Sequence, residues 1–229
     1  MIGASKANAL ASARVCILGI GGVGSNCAIS LARAGIGSFL LVDYDTVSVS
    51  NINRQALAFH STVGQKKTNV LCRMILDINP NSQVDIWEKQ ILPSDIAVLL
   101  EKAGNVAAVI DTADLVTVKV ALALECEKQG ISYIAGIGSG NKLDPLQIQP
   151  ADIYETYNCR MCKAVRKEAR KQGLASMRVY YSPEEPLVIQ ANEDARKARS
   201  NIGTISYYPA VMGHLIAADV IRSLIAKQD

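Results

Sequence analysis

A strand, a glycine turn and a helix near the start of the chain limit what it can fold into. Residues Val15 to Leu18 form a short buried run that leads into Gly19-x-Gly21-x-x-Gly24 and then an apolar helical pattern. That glycine spacing allows a tight turn, lets backbone amides approach a phosphate and packs the next helix close to the sheet. The helix N-terminus presents free N–H groups and a partial positive charge to an anion. A second apolar run, Phe39 to Val42, ends at Asp43. An acid about 20 residues beyond the turn is placed to bind ribose hydroxyls.

The glycine pattern alone fits a dinucleotide enzyme, a mononucleotide site on the same fold, or a mere packing turn. The stretch just past the acid narrows the choice. Asn51, Asn53, Arg54 and Gln55 follow within a dozen residues. A nicotinamide enzyme has little use for an arginine there, because the glycine turn already holds its diphosphate. A nucleoside triphosphate has more charge to neutralise, and the fixed fork of an arginine suits phosphate.

The rest of the chain alternates strand-like and helix-like segments. Met1 to Ser12 reads as a short helix. Helical periodicity recurs over Lys66 to Ile78, Pro93 to Leu100, Leu115 to Gln129, Arg160 to Gln172 and Tyr208 to Ala226. Strands are predicted at Val84 to Trp87, Val106 to Ile110, Ile131 to Ala135, Arg178 to Tyr181 and Leu187 to Ile189. Leu146 to Gln149 reads as an antiparallel strand, and Ala191 to Asn201 as a charged, mobile stretch. The expected fold class is α/β: a Rossmann-like, mostly parallel sheet with helices on both faces and an antiparallel C-terminal extension. With 229 residues, 49% of them hydrophobic, the chain can bury a sizeable core as one domain. Six cysteines without a secretion-signal pattern read as thiols of a cytoplasmic protein. The apolar closing helix contains His214, Asp219 and Arg222, so it reads as a core helix and no membrane span is expected.

Several residues admit a bland reading beside a chemical one. Asp111 and Asp114 follow a strand end, where open α/β folds bind ligands, and two carboxylates there suit magnesium. Either could simply cap the next helix. Cys159 and Cys162 have the spacing of half a zinc site, but neither His60 nor His214 stands in ligand-like spacing to complete it. Lys163, Arg166, Lys167, Arg170 and Lys171 recur at helical spacing with only Glu168 nearby. A solvated face is the default for such a run. The alternative is a patch that contacts nucleic-acid phosphates, which a net charge of +3 permits.

Taken together, the motifs resemble the adenylating domain of ubiquitin-activating-like enzymes. They are Gly19-x-Gly21-Gly22-x-Gly24, Asp43-x-Asp45-x-Val47, Ser50-Asn51-x-Asn53-Arg54-Gln55, Val63-Gly64-x-x-Lys67 and Asp111-x-x-Asp114. That superfamily includes the molybdopterin-synthase and thiamine-biosynthesis adenylyltransferases. Gly136-x-Gly138-x-Gly140-Asn141-Lys142-Leu143-Asp144-Pro145 and Ile148-x-x-x-Asp152-Ile153 are most similar to the tRNA threonylcarbamoyladenosine dehydratases within it. The resemblance covers nearly the whole chain. It implies a single adenylating domain with a nucleotide-binding half, 13–145, and a half facing tRNA, 146–229.

The resemblance also implies roles. ATP and magnesium would be bound. Arg54 and Lys67 would hold the triphosphate, Asp114 the magnesium, Asp43 the ribose, and Asn51 would orient the phosphates. Gly19, Gly21, Gly22, Gly24, Asp45, Asn53, Gln55 and Asp111 would complete the nucleotide site. tRNA would be the substrate, the chain would pair as a homodimer, and a sulfur-transfer protein is among the candidate partners. Relatives carry an arginine upstream of the first strand that reaches the partner subunit's nucleotide, whereas the first arginine here is Arg14. Two other readings remain open on the sequence. One is adenylation of the C-terminus of a ubiquitin-like sulfur carrier. The other is a nucleotide-binding relative without catalysis.

Overall fold

The structure is a computed structural model that describes residues 2–188 and 202–226. A seven-stranded sheet runs through it in the order β3-β2-β1-β4-β5-β7-β6. The strands are β1 (Arg14–Leu18), β2 (Ser38–Val42), β3 (Gln83–Trp87), β4 (Ala108–Asp111), β5 (Tyr133–Gly136), β6 (Gln149–Asp152) and β7 (Arg178–Tyr181). Every pairing is parallel except that of β6 with β7, which makes β6 an antiparallel edge strand.

Parallel sheets must be covered on both faces, and alternating side chains of the inner strands serve the two sides. Val15, Ile17, Phe39, Leu41, Ala108 and Ile110 pack under α1 (Gly3–Ser12), α2 (Gly22–Arg33), α3 (Lys67–Ile78) and the closing helix α7 (Tyr207–Ala226). Cys16, Leu18, Leu40, Val42 and Val109 face the other way, against α4 (Ile96–Ala103) and α5 (Val116–Gln129). A third cluster joins α5 to α6 (Arg160–Gln172) through Val120, Ala123, Cys162, Val165 and Ala169, over Ala135 and Val179. Each fully buried aliphatic side chain of this kind contributes about 1.5–3 kcal/mol.

The helix α7 is long and apolar enough to cross a membrane by length and composition. One of its faces, including Tyr208, Met212, Ile216 and Val220, is instead buried in the core. Gly213 lets it approach α2 closely, since an added Cβ would stand 2.4 Å from the Val23 carbonyl oxygen.

Three expectations shift. Residues 145–147 form a 3-10 turn rather than a strand, because the Asp144 side chain accepts the Leu146 N–H and starts the turn, so β6 begins at Gln149. Leu187 and Val188 lie outside any strand; the Leu187 N–H bonds the Asn141 carbonyl in a loop crossing. Ile189 and the charged stretch 191–201 fall outside the described residues. Pro93 opens a 3-10 turn, Pro93–Asp95, that leads directly into α4.

Candidate nucleotide and substrate site

The chain order places a topological switch at β1 and β4. From β1 the sheet grows one way through β2 and β3, and from β4 the other way through β5. In open α/β sheets the crevice beyond the strand C-termini at such a point receives the ligand. Gly19 has φ +86 and leaves β1 against the Thr112–Ala113 backbone, where a Cβ would come 2.7 Å from the Ala113 nitrogen. Gly24 sits deeper: its Cβ would meet the Gly19 carbonyl oxygen at 2.0 Å and Thr112 Oγ1 at 2.6 Å. Gly21 caps α2 and has nothing within 4 Å of a would-be Cβ, so this part of the turn faces open space.

Asp43 ties the second strand to the turn. Its Oδ2 accepts the Ile20 N–H at 2.6 Å and its Oδ1 the Asp45 N–H at 2.8 Å. Each oxygen retains further acceptor capacity, which suits a ribose hydroxyl. Asp45 in turn pairs with Lys67 at 2.8 Å, and the Lys67 side chain is only 7% exposed. Lys66, its neighbour, donates to the Tyr44 carbonyl at the surface instead. The arginine lies on the other side of the turn. Arg54 runs past Gly22, donates to the Ser50 carbonyl at 2.7 Å and to Asn53 Oδ1 at 2.9 Å, and remains partly exposed. Asn53 donates in turn to the Thr204 carbonyl. Asn51 Oδ1 accepts the Ser48 N–H and so closes the turn that carries Arg54. Gln55 is buried, and its Oε1 has no hydrogen-bond partner among the described residues.

The two aspartates after β4 are set apart. Asp114 is exposed, with no hydrogen bond or ion pair among the described residues. Asp111 is fully buried and turned inward. Its Oδ1 accepts from Lys119 Nζ at 2.9 Å and from the Ala113 N–H at 3.0 Å, and its Oδ2 accepts the Tyr133 hydroxyl at 2.8 Å. The structure therefore brings Asp114, not Asp111, to the surface beside the turn. Burial and the Asp111 charge push the Tyr133 hydroxyl well above its ordinary range. No cluster of three or more metal-ligating side chains occurs among the described residues. A single free carboxylate suits magnesium that arrives on a triphosphate, because that ion keeps most of its ligands as water and phosphate oxygens.

The supports of this site carry no sequence signal, with one exception. Ser25 Oγ donates to the Gly21 carbonyl and accepts the Ala56 N–H, and Asn26 donates to the Gly22 carbonyl. Thr112 Oγ1 donates to the Gly19 carbonyl at 2.5 Å. Lys119 had a signal, as an isolated lysine inside the apolar run of α5. Arg14 stands at the far end of the sheet, tied to the Ala103 carbonyl, Ser38 and Asp85.

On α6 the five predicted cations divide. Arg166 is engaged by the Thr156 carbonyl and hydroxyl, and Arg170 lies over the Tyr154 ring at 5.5 Å. Lys163, Lys167 and Lys171 are exposed, and so is Arg160, which the sequence reading passed over. Arg160, Lys163, Arg166, Lys167 and Arg170 line an open recess of about 630 Å³.

The family profile described as ThiF matches residues 1–229. The chain belongs to the ThiF family. It is 37% identical to a tRNA threonylcarbamoyladenosine dehydratase of Bacillus subtilis, over 98% of this chain and 91% of that protein. Among solved structures, the Escherichia coli tRNA N6-threonylcarbamoyladenosine dehydratase in complex with AMP superposes with a TM-score of 0.90 at 29% identity. That match covers 99% of this chain and 91% of the other. The same enzyme in complex with ATP gives a TM-score of 0.86 at 28% identity, over 97% and 90% of the two chains. This ThiF-family chain thus shares nearly its full length and fold with an enzyme crystallised with both nucleotides.

Proposed function

We propose that this ThiF-family protein is an ATP-dependent cytoplasmic enzyme that cyclises threonylcarbamoyladenosine in tRNA by adenylating its carboxylate. The observation that carries the reading is the convergence of an open glycine turn, Asp43, Lys67, Arg54 and a free Asp114 at one switch point. Near-full-length likeness to dehydratases of this kind supports it.

The chemistry brings two anions together. The threonyl carboxylate attacks the α-phosphorus of ATP, a P–O bond to pyrophosphate breaks, and an acyl adenylate results. The adenine N6, the far nitrogen of the same urea, then attacks the acyl carbon and gives up its proton to solvent as a five-membered ring closes and AMP is expelled. The nucleophiles belong to the substrates, so the protein supplies position and charge rather than an attacking side chain. The amides at the N-terminus of α2, together with Arg54 and Lys67, offset phosphate charge. Asp43 orients the ribose. Asp114 would hold magnesium, whose charge helps neutralise the triphosphate. The Asp111–Lys119–Tyr133 network fixes the turn from which Asp114 projects. Neither histidine is needed: His60 is exposed, and His214 Nδ1 is 2.7 Å from Ser30 Oγ between α2 and α7.

The tRNA-facing surface on this reading is the outer face of α6, through Lys163, Lys167, Lys171 and Arg160, with Arg166 and Arg170 bracing it. The active form is a homodimer, paired through the adenylating domain. A direct test is tRNA-dependent release of AMP and pyrophosphate from ATP. Losing one charge-assisted contact costs about 1.5–3 kcal/mol, so Arg54→Ala is expected to weaken ATP use at least about tenfold. Tight NAD binding that survives Arg54→Ala would overturn the assignment.

A further inference from the structure

Cys159 and Cys162 stand at the start of α6, beside the loop that follows β5, and nothing in the proposed chemistry uses them. The backbone turns sharply at Asn158, with φ 52, and places Cys159 at the N-cap. There its Sγ accepts the Cys162 N–H at 3.4 Å. The two thiols are close enough for each to shift the ionisation of the other. Spacing of i, i+3 across a first helical turn puts the Cα atoms about 5–6 Å apart, inside the range that disulfides span. A third element supplies charge. Lys142, 3% exposed, approaches from the loop after β5, where its Nζ donates to the Ser182 carbonyl. Its ammonium group favours the Cys159 thiolate, and Glu184 is the other charge beside it. Gly138 leaves room at the sulfur, since a Cβ there would stand 2.6 Å from Cys159 Sγ.

We propose that Cys159 and Cys162 form a reversible dithiol–disulfide site, with Cys159 the attacking thiolate and Cys162 the resolving thiol. The oxidant class is a small hydroperoxide. The Cys159 thiolate attacks one peroxide oxygen; an S–O bond forms, the O–O bond breaks and the leaving alkoxide or hydroxide takes a proton from water. The Cys162 sulfur then attacks the Cys159 sulfenic acid. The S–S bond forms, the S–O bond breaks, and the departing hydroxide leaves as water with the Cys162 proton. A small-molecule dithiol reverses the reaction by exchange.

The remaining thiols differ in their neighbours rather than in burial, since Cys159 is 8% exposed and Cys162 is fully buried. Burial pushes Cys16 and Cys126 up to about 12, and raises Cys27 and the partly exposed Cys72. The neighbouring Cys162 thiol holds Cys159 below the usual thiol range; burial opposes that, and the Cys162 N–H and Lys142 reinforce it. Cys162 is raised by the neighbouring Cys159 and by burial, so it keeps its proton while Cys159 is ionised. Tyr181 on β7 is a further titratable group near Cys162.

The test uses the full chain in two measurements. In the first, folded protein is alkylated with iodoacetamide at about pH 6.5, where an ordinary thiol is about 1% ionised. Cys159 is expected to react several-fold faster than Cys72, and Lys142→Gln to reduce that advantage measurably. In the second, Cys72→Ser protein is treated with hydrogen peroxide and mapped without reduction. A Cys159–Cys162 disulfide that dithiothreitol removes is expected. Cys162→Ser should stop at a dimedone-reactive sulfenic acid on Cys159, and Cys159→Ser should leave Cys162 unmodified. Cys159 reacting no faster than Cys72, or a disulfide that forms only after unfolding in urea, would overturn the proposal.

Discussion

Replacing Lys119 with methionine removes a cation that the interior cannot easily do without. Both Lys119 and Asp111 have fully buried side chains, 2.9 Å apart. In the wild type the carboxylate receives the ammonium, the Tyr133 hydroxyl and the Ala113 N–H. In Lys119→Met only the two neutral donors remain, and water cannot reach the charge. Breaking a buried pair from one side costs about 3–5 kcal/mol, a large part of a total stability of about 5–15 kcal/mol. With a urea dependence of about 3 kcal/mol per M, the unfolding midpoint should fall by roughly 1–2 M. The double variant Asp111→Asn, Lys119→Met leaves no orphaned charge, so its cost should fall short of the summed singles by about 0.5–3 kcal/mol. Urea unfolding followed by circular dichroism measures both. A loss below about 1 kcal/mol in Lys119→Met, or strict additivity, would refute the view that the pair acts as one buried unit.

Gly24→Ala should destabilise the fold, since its Cβ would fall 2.0 Å from the Gly19 carbonyl oxygen, whereas Gly21→Ala should fold normally and lose ATP affinity; thermal melts and nucleotide titration separate the two. Replacing Lys163, Lys167 and Lys171 with alanine should flatten the slope of log tRNA affinity against log salt by roughly two units, at about 0.7–0.9 for each phosphate contact. ATP affinity should not change in that variant; an unaltered slope would remove this face from the tRNA footprint. Sedimentation at micromolar concentration should give a dimer, and a monomer would count against the proposed pairing.

The parallel core could be read because β1, β2, β4 and β5 are short apolar runs closed by turn signals, which β6, Gln149-Pro150-Ala151-Asp152, is not. The glycine turn was the clearest part, because Gly19 and Gly24 are needed for contacts that any side chain would block. Arg54 was legible as a phosphate-suited charge just past the acid, and Lys67 only through its place in the family motif. What escaped the sequence was direction. Asp111 and Asp114 look equivalent in Asp111-Thr112-Ala113-Asp114, yet β4 carries the first into the core and the turn carries the second out. The partners that hold Asp111 lie 8 and 22 residues away. Arg166 has the helical spacing of its neighbours but bonds Thr156 across the α6 junction. The start of β6 was misplaced because the capping side chain of Asp144 decides it, and apolar spacing does not report caps.

The central claim is that this chain uses ATP to dehydrate one nucleoside in tRNA. Purified protein should be incubated with ATP, magnesium and tRNA that carries threonylcarbamoyladenosine, and the tRNA then digested and its nucleosides weighed by mass spectrometry. The account predicts ATP-dependent conversion to a product lighter by one water, with AMP released in equal amount and little conversion in Arg54→Ala. Unchanged threonylcarbamoyladenosine in the presence of folded, ATP-binding protein would contradict it.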